Sequence, residues 1–237
     1  MFLVKRISAC VLLAIGVLSM TAPSVFSAPI TLPTGLNVGD QYRLFFVTTG
    51  GINSTSSNIA DYNAFVTSQA NAQAELAGLG TSWTAVASTA TVNAIDNTST
   101  PVGIGGIPIY LMNDTKLVDN YADLWDGTLD TAPNVFGDGT SHAGSNVVWT
   151  GTNISGTATA NPLGSSSGTI GNSGFAGNIW TTDTTLSNFF SRRLYGISDV
   201  ITVQEAVVSE PPPISLLALG LVGLVIVRRK RAASSAR

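Results

Sequence analysis

Hydrophobic and polar positions divide this chain into two uncharged, largely apolar segments near its ends and a mixed middle. The first apolar segment covers residues 7–17, the second residues 214–227. Between them, Tyr42 to Thr48 (Tyr-Arg-Leu-Phe-Phe-Val-Thr) is a run of aromatic and β-branched residues that predicts a buried strand. Gly50-Gly51 and the polar stretch to Ser57 end it. Ile59, Tyr62, Phe65, Val66 and Ala70 then recur at helical spacing, continuing to Leu76, with Ser57 or Asn58 as N-cap and Gly78 and Gly80 as the stop. Trp83 to Ala87 reads as a short strand, and Ser88 as the cap of a second helix from about Thr89 to Ile95.

The later pattern is shorter-ranged. Ile107 to Met112 reads as a strand, and Lys116 to Leu124 as a helical turn leading into Trp125-Asp126-Gly127. Val147 to Thr150 is a strand stopped by Gly151, and residues 153–174, nearly all small and polar, read as a long surface loop. Asn178 to Thr181 and Leu194 to Val203 read as closing strands. Helices early and short strands late give an α+β fold. No internal repeat is visible.

Several of these segments carry a resemblance. They are Ala77-Gly78-Leu79-Gly80 with Trp83-Thr84-Ala85-Val86, Ile107-Pro108-Ile109-Tyr110, Ala122 to Gly127, Val148 to Thr152 with Gly156, and Arg193-Leu194-Tyr195-Gly196-Ile197. Together, over residues 42–204, they resemble the C-type-lectin-like fold in its endostatin-like version. That resemblance implies a domain over residues 41–204 with two early helices and short late strands. The family's usual cysteines are absent, and Gly196 and its neighbours stand where one is expected.

The two ends predict an address. Lys5 and Arg6 precede the first apolar run, and small residues follow at Ser27 and Ala28 with Val25 upstream, the pattern of a secretory signal peptide over residues 1–27, cut after Ser27. Ile7-Ser8-Ala9-Cys10 looks like a lipoprotein box but precedes the apolar stretch instead of following it. A segment 28–40 leads into the domain, and residues 205–213 link it to the tail.

In the tail, Ser209-Glu210-Pro211-Pro212-Pro213 is followed by the 14-residue run 214–227 and then by Arg228-Arg229-Lys230-Arg231. As a helix that run reaches about 21 Å, short of a hydrocarbon core of roughly 30 Å. Arginine snorkelling extends it, and the cations hold the chain's end in the cytoplasm. A plain single-span anchor is the alternative reading. The order resembles the PEP-CTERM tail of bacterial exosortase substrates, with Ser209 in place of the first proline. The resemblance implies a transmembrane helix and basic tail over residues 214–237 and a sorting motif at Ser209, Glu210 and Pro211. It also implies an exosortase-type membrane protease and the general secretion machinery with signal peptidase as partners. The protein then passes from transient inner-membrane anchoring to the cell surface or medium.

Charge narrows the partners. From Asp40 to Glu210 lie all 14 acidic residues and four cations (Arg43, Lys116, Arg192, Arg193), a net charge of −10. That argues against nucleic acid and anionic lipid. The one cysteine, Cys10, lies in the leader, so the exported part has no disulfide and relies on packing.

Candidate chemistry is sparse. Gly164-Ser165-Ser166-Ser167-Gly168 matches the hydrolase pattern G-x-S-x-G, but no apolar strand precedes it and the single His142 comes earlier, so a polar loop is the better reading. His142 has no other His and no exported Cys to share a metal with. Asp114, Asp119, Asp123, Asp126, Asp130 and Asp138, interleaved with Asn and Gly, offer oxygen ligands for Ca²⁺, with Asp119, Asp123 and Asp126 the candidate set; solvated loop charge and helix capping are the alternative. No other cofactor is implied. Trp149, flanked by valines, reads as core, whereas Trp125 and Trp180, beside polar loops, are candidates with Asp126 for contact with a sugar ring. Asn53, Asn97, Asn113 and Asn153 begin N-x-S/T sequences and mark polar loops.

These expectations converge on an exported, non-enzymatic surface or matrix protein acting among exopolysaccharide. The alternatives are a carbohydrate- or protein-binding module, with or without Ca²⁺ dependence, and a hydrolase using Ser166 or His142.

Overall fold

The structure, a computed structural model, describes residues 28–103 and 105–205. The leader, the sorting motif Ser209-Glu210-Pro211, the apolar run and Arg228 to Arg231 lie outside the described residues. Among the described residues no helix is long and apolar enough to cross a membrane.

The strand β1, Gln41–Val47, is the centre of the molecule. Its sequence does not alternate because both of its faces are covered, and every residue after Gln41 is buried. Phe46 turns one way, onto the edge of Trp83 with ring centroids 5.2 Å apart. Phe45 turns the other way, onto Tyr195 at 5.2 Å and Trp180 at 6.4 Å. Around β1 are β2 (Trp83–Ala85), β3 (Ile109–Leu111), β4 (Lys116–Val118), β5 (Val147–Trp149), β6 (Ser167–Asn172), β7 (Thr184–Ser187), β8 (Arg193–Ser198) and β9 (Ile201–Thr202). They form one mixed nine-stranded sheet in the order β4-β3-β1-β8-β5-β6-β7, with β2 pairing β8 and β9 pairing β1 off that path. β1 runs parallel to β3 and antiparallel to β8, and β8 runs parallel to β5.

Among the described residues four α-helices accompany the sheet: α1 (Ile59–Asn71), α2 (Ala74–Ala77), α3 (Ala94–Asn97) and α4 (Tyr121–Leu124). Asn58 caps α1, its Oδ1 accepting the Ala60 amide at 3.1 Å. Tyr62, Val66 and Ala70, four residues apart, form the buried stripe of α1. Asn63 Oδ1 accepts the Ala85 amide at 2.8 Å and Thr67 Oγ1 donates to the Trp83 carbonyl at 3.0 Å, which fixes α1 on β2.

This architecture corrects the expected α+β domain with two early helices and short late strands, and with it the C-type-lectin-like fold. Among the described residues the regular structure is mostly sheet, with four short helices. The second expected helix is reduced to the single turn of α3, with Asn93, not Ser88, at its N-cap position; Ser88 Oγ accepts the Ala94 amide at 2.8 Å from six residues upstream. Residues 116–118 are strand, not helix; Leu117 and Val118 are buried against β3. Asn178–Trp180 is a 3-10 turn, not a strand. The expected loop over residues 153–174 contains β6, which the pattern hid because its residues are small.

Those small residues are what packing demands. A Cβ on Gly168 would sit 2.9 Å from the Trp149 ring, and one on Gly171 would collide with the Trp180 carbonyl. At Gly196, one of the neighbouring positions where the resemblance leads one to expect a cysteine, a Cβ would come within 2.6 Å of Phe46 and 2.7 Å of Val66. Position 196 is therefore a contact point between β8, β1 and α1, with no room for a thiol.

Candidate functional site

Trp125 and Trp180, expected to meet sugar, instead meet each other. Their rings stack with centroids 5.8 Å apart, and Trp180 is fully enclosed. Trp125 Nε1 donates to Thr100 Oγ1 at 2.9 Å, and the Tyr195 hydroxyl donates to the Trp180 carbonyl at 3.0 Å. Gly156 lies on the Trp125 indole. The polar loops beside both tryptophans fold over them, which sequence adjacency does not reveal. Asp126 is exposed, and its Oδ1 accepts the Thr128 amide at 2.8 Å, a local turn.

The proposed Ca²⁺ set does not assemble. Asp119 pairs with Lys116. Asp123 Oδ2 accepts from Asn120 Nδ2 at 2.9 Å, while Asn120 Oδ1 caps α4. Among the described residues no group of three or more His, Cys, Asp or Glu is placed to hold a metal ion. Asp114, Asp138, Asn53, Asn113 and Asn153 accept nearby amides or hydroxyls in short turns or tether a neighbouring segment. Asn97 differs, pairing its side chain with that of Asn63.

His142 is held, not poised. Its Nε2 shares a 2.9 Å hydrogen bond with Ser173 Oγ, and its ring lies against Phe136 with centroids 5.2 Å apart. Burial lowers its pKa; the Gly144 backbone opposes that and the nearby Arg193 charge adds to it. Ser173 is fully enclosed and its hydroxyl also reaches the Asn146 carbonyl at 3.2 Å. This pair ties the 134–142 loop to the start of β5. Ser166 is exposed ahead of β6, where its carbonyl accepts the Asn188 amide.

The feature with ligand-site character lies elsewhere, at the mouth of the central strands. β1 ends, and β5 and β8 begin, on the same side of the sheet, because β8 runs antiparallel to β1 and parallel to β5. Thr49, Gly51, Asn146, Val147, Ser191, Arg192 and Arg193 line a cleft there of about 360 Å³. Arg192 is fixed by a reciprocal backbone pair with Ile52, its amide donating at 3.0 Å and its carbonyl accepting at 2.9 Å. Gly51 permits this approach, since a Cβ there would lie 2.6 Å from Ser191 Oγ.

The two guanidinium groups are differently anchored. Arg193 lies over Phe136, 5.0 Å from the ring centroid, and donates to Asn146 Oδ1 at 3.0 Å. Arg192 lies over Phe190 at 5.3 Å and donates to the Ser191 carbonyl at 2.8 Å. Neither meets a carboxylate; the one ion pair among the described residues is Lys116–Asp119. Arg43, the remaining cation, is buried in the core. Among the described residues the cleft is thus lined by the two cations outside the core that have no ion pair, and no acidic residue lines it. Sequence reasoning counted Arg192 and Arg193 without assigning them. Their adjacency was the available signal, but Asn146 and Thr49 join them only through strand pairing.

No model of a known protein family matches the chain, and no curated protein matches it.

Proposed function

We propose that this chain is an exported, non-enzymatic protein, sorted by an exosortase-type membrane protease acting near Ser209-Glu210-Pro211, and that its domain works at the cell surface or in the extracellular matrix as a binding module. The order of proline-rich motif, short apolar run and basic cluster at residues 209–231 carries the sorting part of this reading. The fold supports the display part. Thr31, Leu32, Tyr42 and Val200 to Gln204 line one groove, so both ends of the described body meet at the Tyr42 end of β1. The arginine cleft contains Thr49, past the opposite end of β1. The part of β1 from Tyr42 to Val47 lies between groove and cleft, roughly 16 Å of extended chain. A domain tethered through residue 205 therefore presents the cleft away from its tether.

Fractionation of producing cells, with mass spectrometry of both ends of the mature protein, tests this reading. The expected product begins after Ser27, ends near Glu210 and lies in the surface or medium fraction. An intact Arg237 in the inner membrane refutes the sorting step and makes the tail a plain anchor.

A further inference from the structure

The chemistry of the Arg192–Arg193 cleft specifies a class of ligand. Each guanidinium carries about five N–H donors in a planar fork that matches a carboxylate. One from Arg193 goes to Asn146 and one from Arg192 to the Ser191 carbonyl. The rest of the lining is uncharged and hydrogen-bonding: the Thr49 and Ser191 hydroxyls and the Asn146 amide. A volume of about 360 Å³ exceeds what a bare inorganic anion fills and lies at the small end of organic ligand sites. The described body is net acidic, so an anion is drawn most strongly to where cations without an acidic partner line its surface.

We infer that this cleft binds the carboxylate of an acidic sugar, a uronic acid residue of an extracellular polysaccharide, with Arg192 and Arg193 gripping the carboxylate and Thr49, Asn146 and Ser191 meeting the sugar hydroxyls. The inference rests on the binding-module reading above and names its ligand. Arg193 is positioned by Phe136 and Asn146, so its donors are held in place before the ligand arrives. Arg192 lies beside Phe190, and its one side-chain hydrogen bond is solvent-exposed, whereas that of Arg193 is partly buried.

The test is calorimetric titration of the full-length chain in detergent micelles with trimers of galacturonate, glucuronate and mannuronate. Their methyl esters, which keep the sugar and remove the charge, are run alongside, with inorganic phosphate and sulfate. At least one free-acid trimer is expected to bind roughly tenfold or more tighter than its ester, the worth of a charge-assisted hydrogen bond. Arg192→Gln is expected to weaken that binding by a similar factor, and Arg192→Gln with Arg193→Gln to abolish it. Arg192 makes one side-chain hydrogen bond, to its own neighbour, so the single variant retains the fold and is decisive. Equal binding of acid and ester, or unchanged affinity in Arg192→Gln, overturns the carboxylate assignment while leaving a binding module. Phosphate competing as tightly as the trimers reduces the cleft to a simple anion site and overturns the sugar assignment. Silence from all three trimers overturns the inference outright, and a processed surface product in the fractionation experiment still upholds export.

Discussion

Arg43 offers the sharpest test of how this fold is held together. It sits within β1, 1% exposed, in the middle of the core. Its Nε donates to the Ser198 carbonyl at 2.6 Å and an Nη to the Thr98 carbonyl at 2.7 Å, and its charge lies 5.8 Å from the centroid of the Tyr121 ring. It thereby ties β8 and the end of α3 to β1. Burial pulls its pKa below the usual arginine value, with Tyr121 and Asp199 pulling the other way. The substitution Arg43→Met keeps the stem and deletes the donors. Replacing a whole buried ion pair with apolar groups is often harmless, but here the partners are backbone carbonyls and remain. Each buried acceptor stripped of its donor costs about 1–3 kcal/mol, offset in part because the variant no longer desolvates a cation. A net loss of about 2–4 kcal/mol follows. Urea unfolding of the full chain in micelles, followed by tryptophan fluorescence, measures it through the midpoint, with the slope as a check that the denatured state is unchanged. A loss below about 0.5 kcal/mol, a typical surface effect, refutes the assignment of Arg43 as a core clamp.

Other positions test the packing and the titratable core. Gly196→Ala is expected to destabilise by about 1–3 kcal/mol because the added methyl group meets Phe46 and Val66 in a filled core; a neutral result in the same unfolding assay contradicts the close approach of β8 to α1. Trp180→Ala is expected to cost about 3–5 kcal/mol, and Trp180→Phe less, without selective loss of saccharide binding; weaker binding in the better-folded Phe variant restores the sugar-contact role. Burial raises the pKa of Tyr42 and Tyr195 and pushes Tyr62 up to about 12, so the unfolded chain releases these protons first. Stability is then fully present below pH 10 and falls as pH rises from 10 toward 12, and phenolate absorbance of the folded protein lags behind that of the unfolded chain; coincident titration curves contradict this. His142 acts at the acid side: its lowered pKa means the unfolded chain binds the proton more tightly, so its contribution is present above pH 6.5 and declines as pH falls below it. The pH dependence of unfolding from 7 to 5 is expected to flatten in His142→Gln, and an unaltered slope removes the histidine as its source.

What the chain's own pattern determined is local. The run Tyr42 to Thr48 announced a buried strand, the spacing of Ile59, Tyr62, Phe65, Val66 and Ala70 announced α1 with Ser57 or Asn58 as its cap, and Trp149 next to two valines announced a core position. These succeed because apolar periodicity and capping depend on neighbours in sequence. β6 was not legible, since its glycines at 168 and 171 read as a loop until Trp149 and Trp180 lie against them. Trp125 and Trp180 looked exposed beside polar loops, and only the folding of those loops over the sheet turned them into core. The carboxylates at 119, 123 and 126 were close in sequence, yet each is engaged by a different nearby group. The arginine cleft is likewise a product of topology. Thr49, Asn146 and Arg193 stand far apart along the chain and meet because antiparallel β8 and parallel β5 bring one end of three strands together, a register that long-range pairing sets and no local pattern encodes.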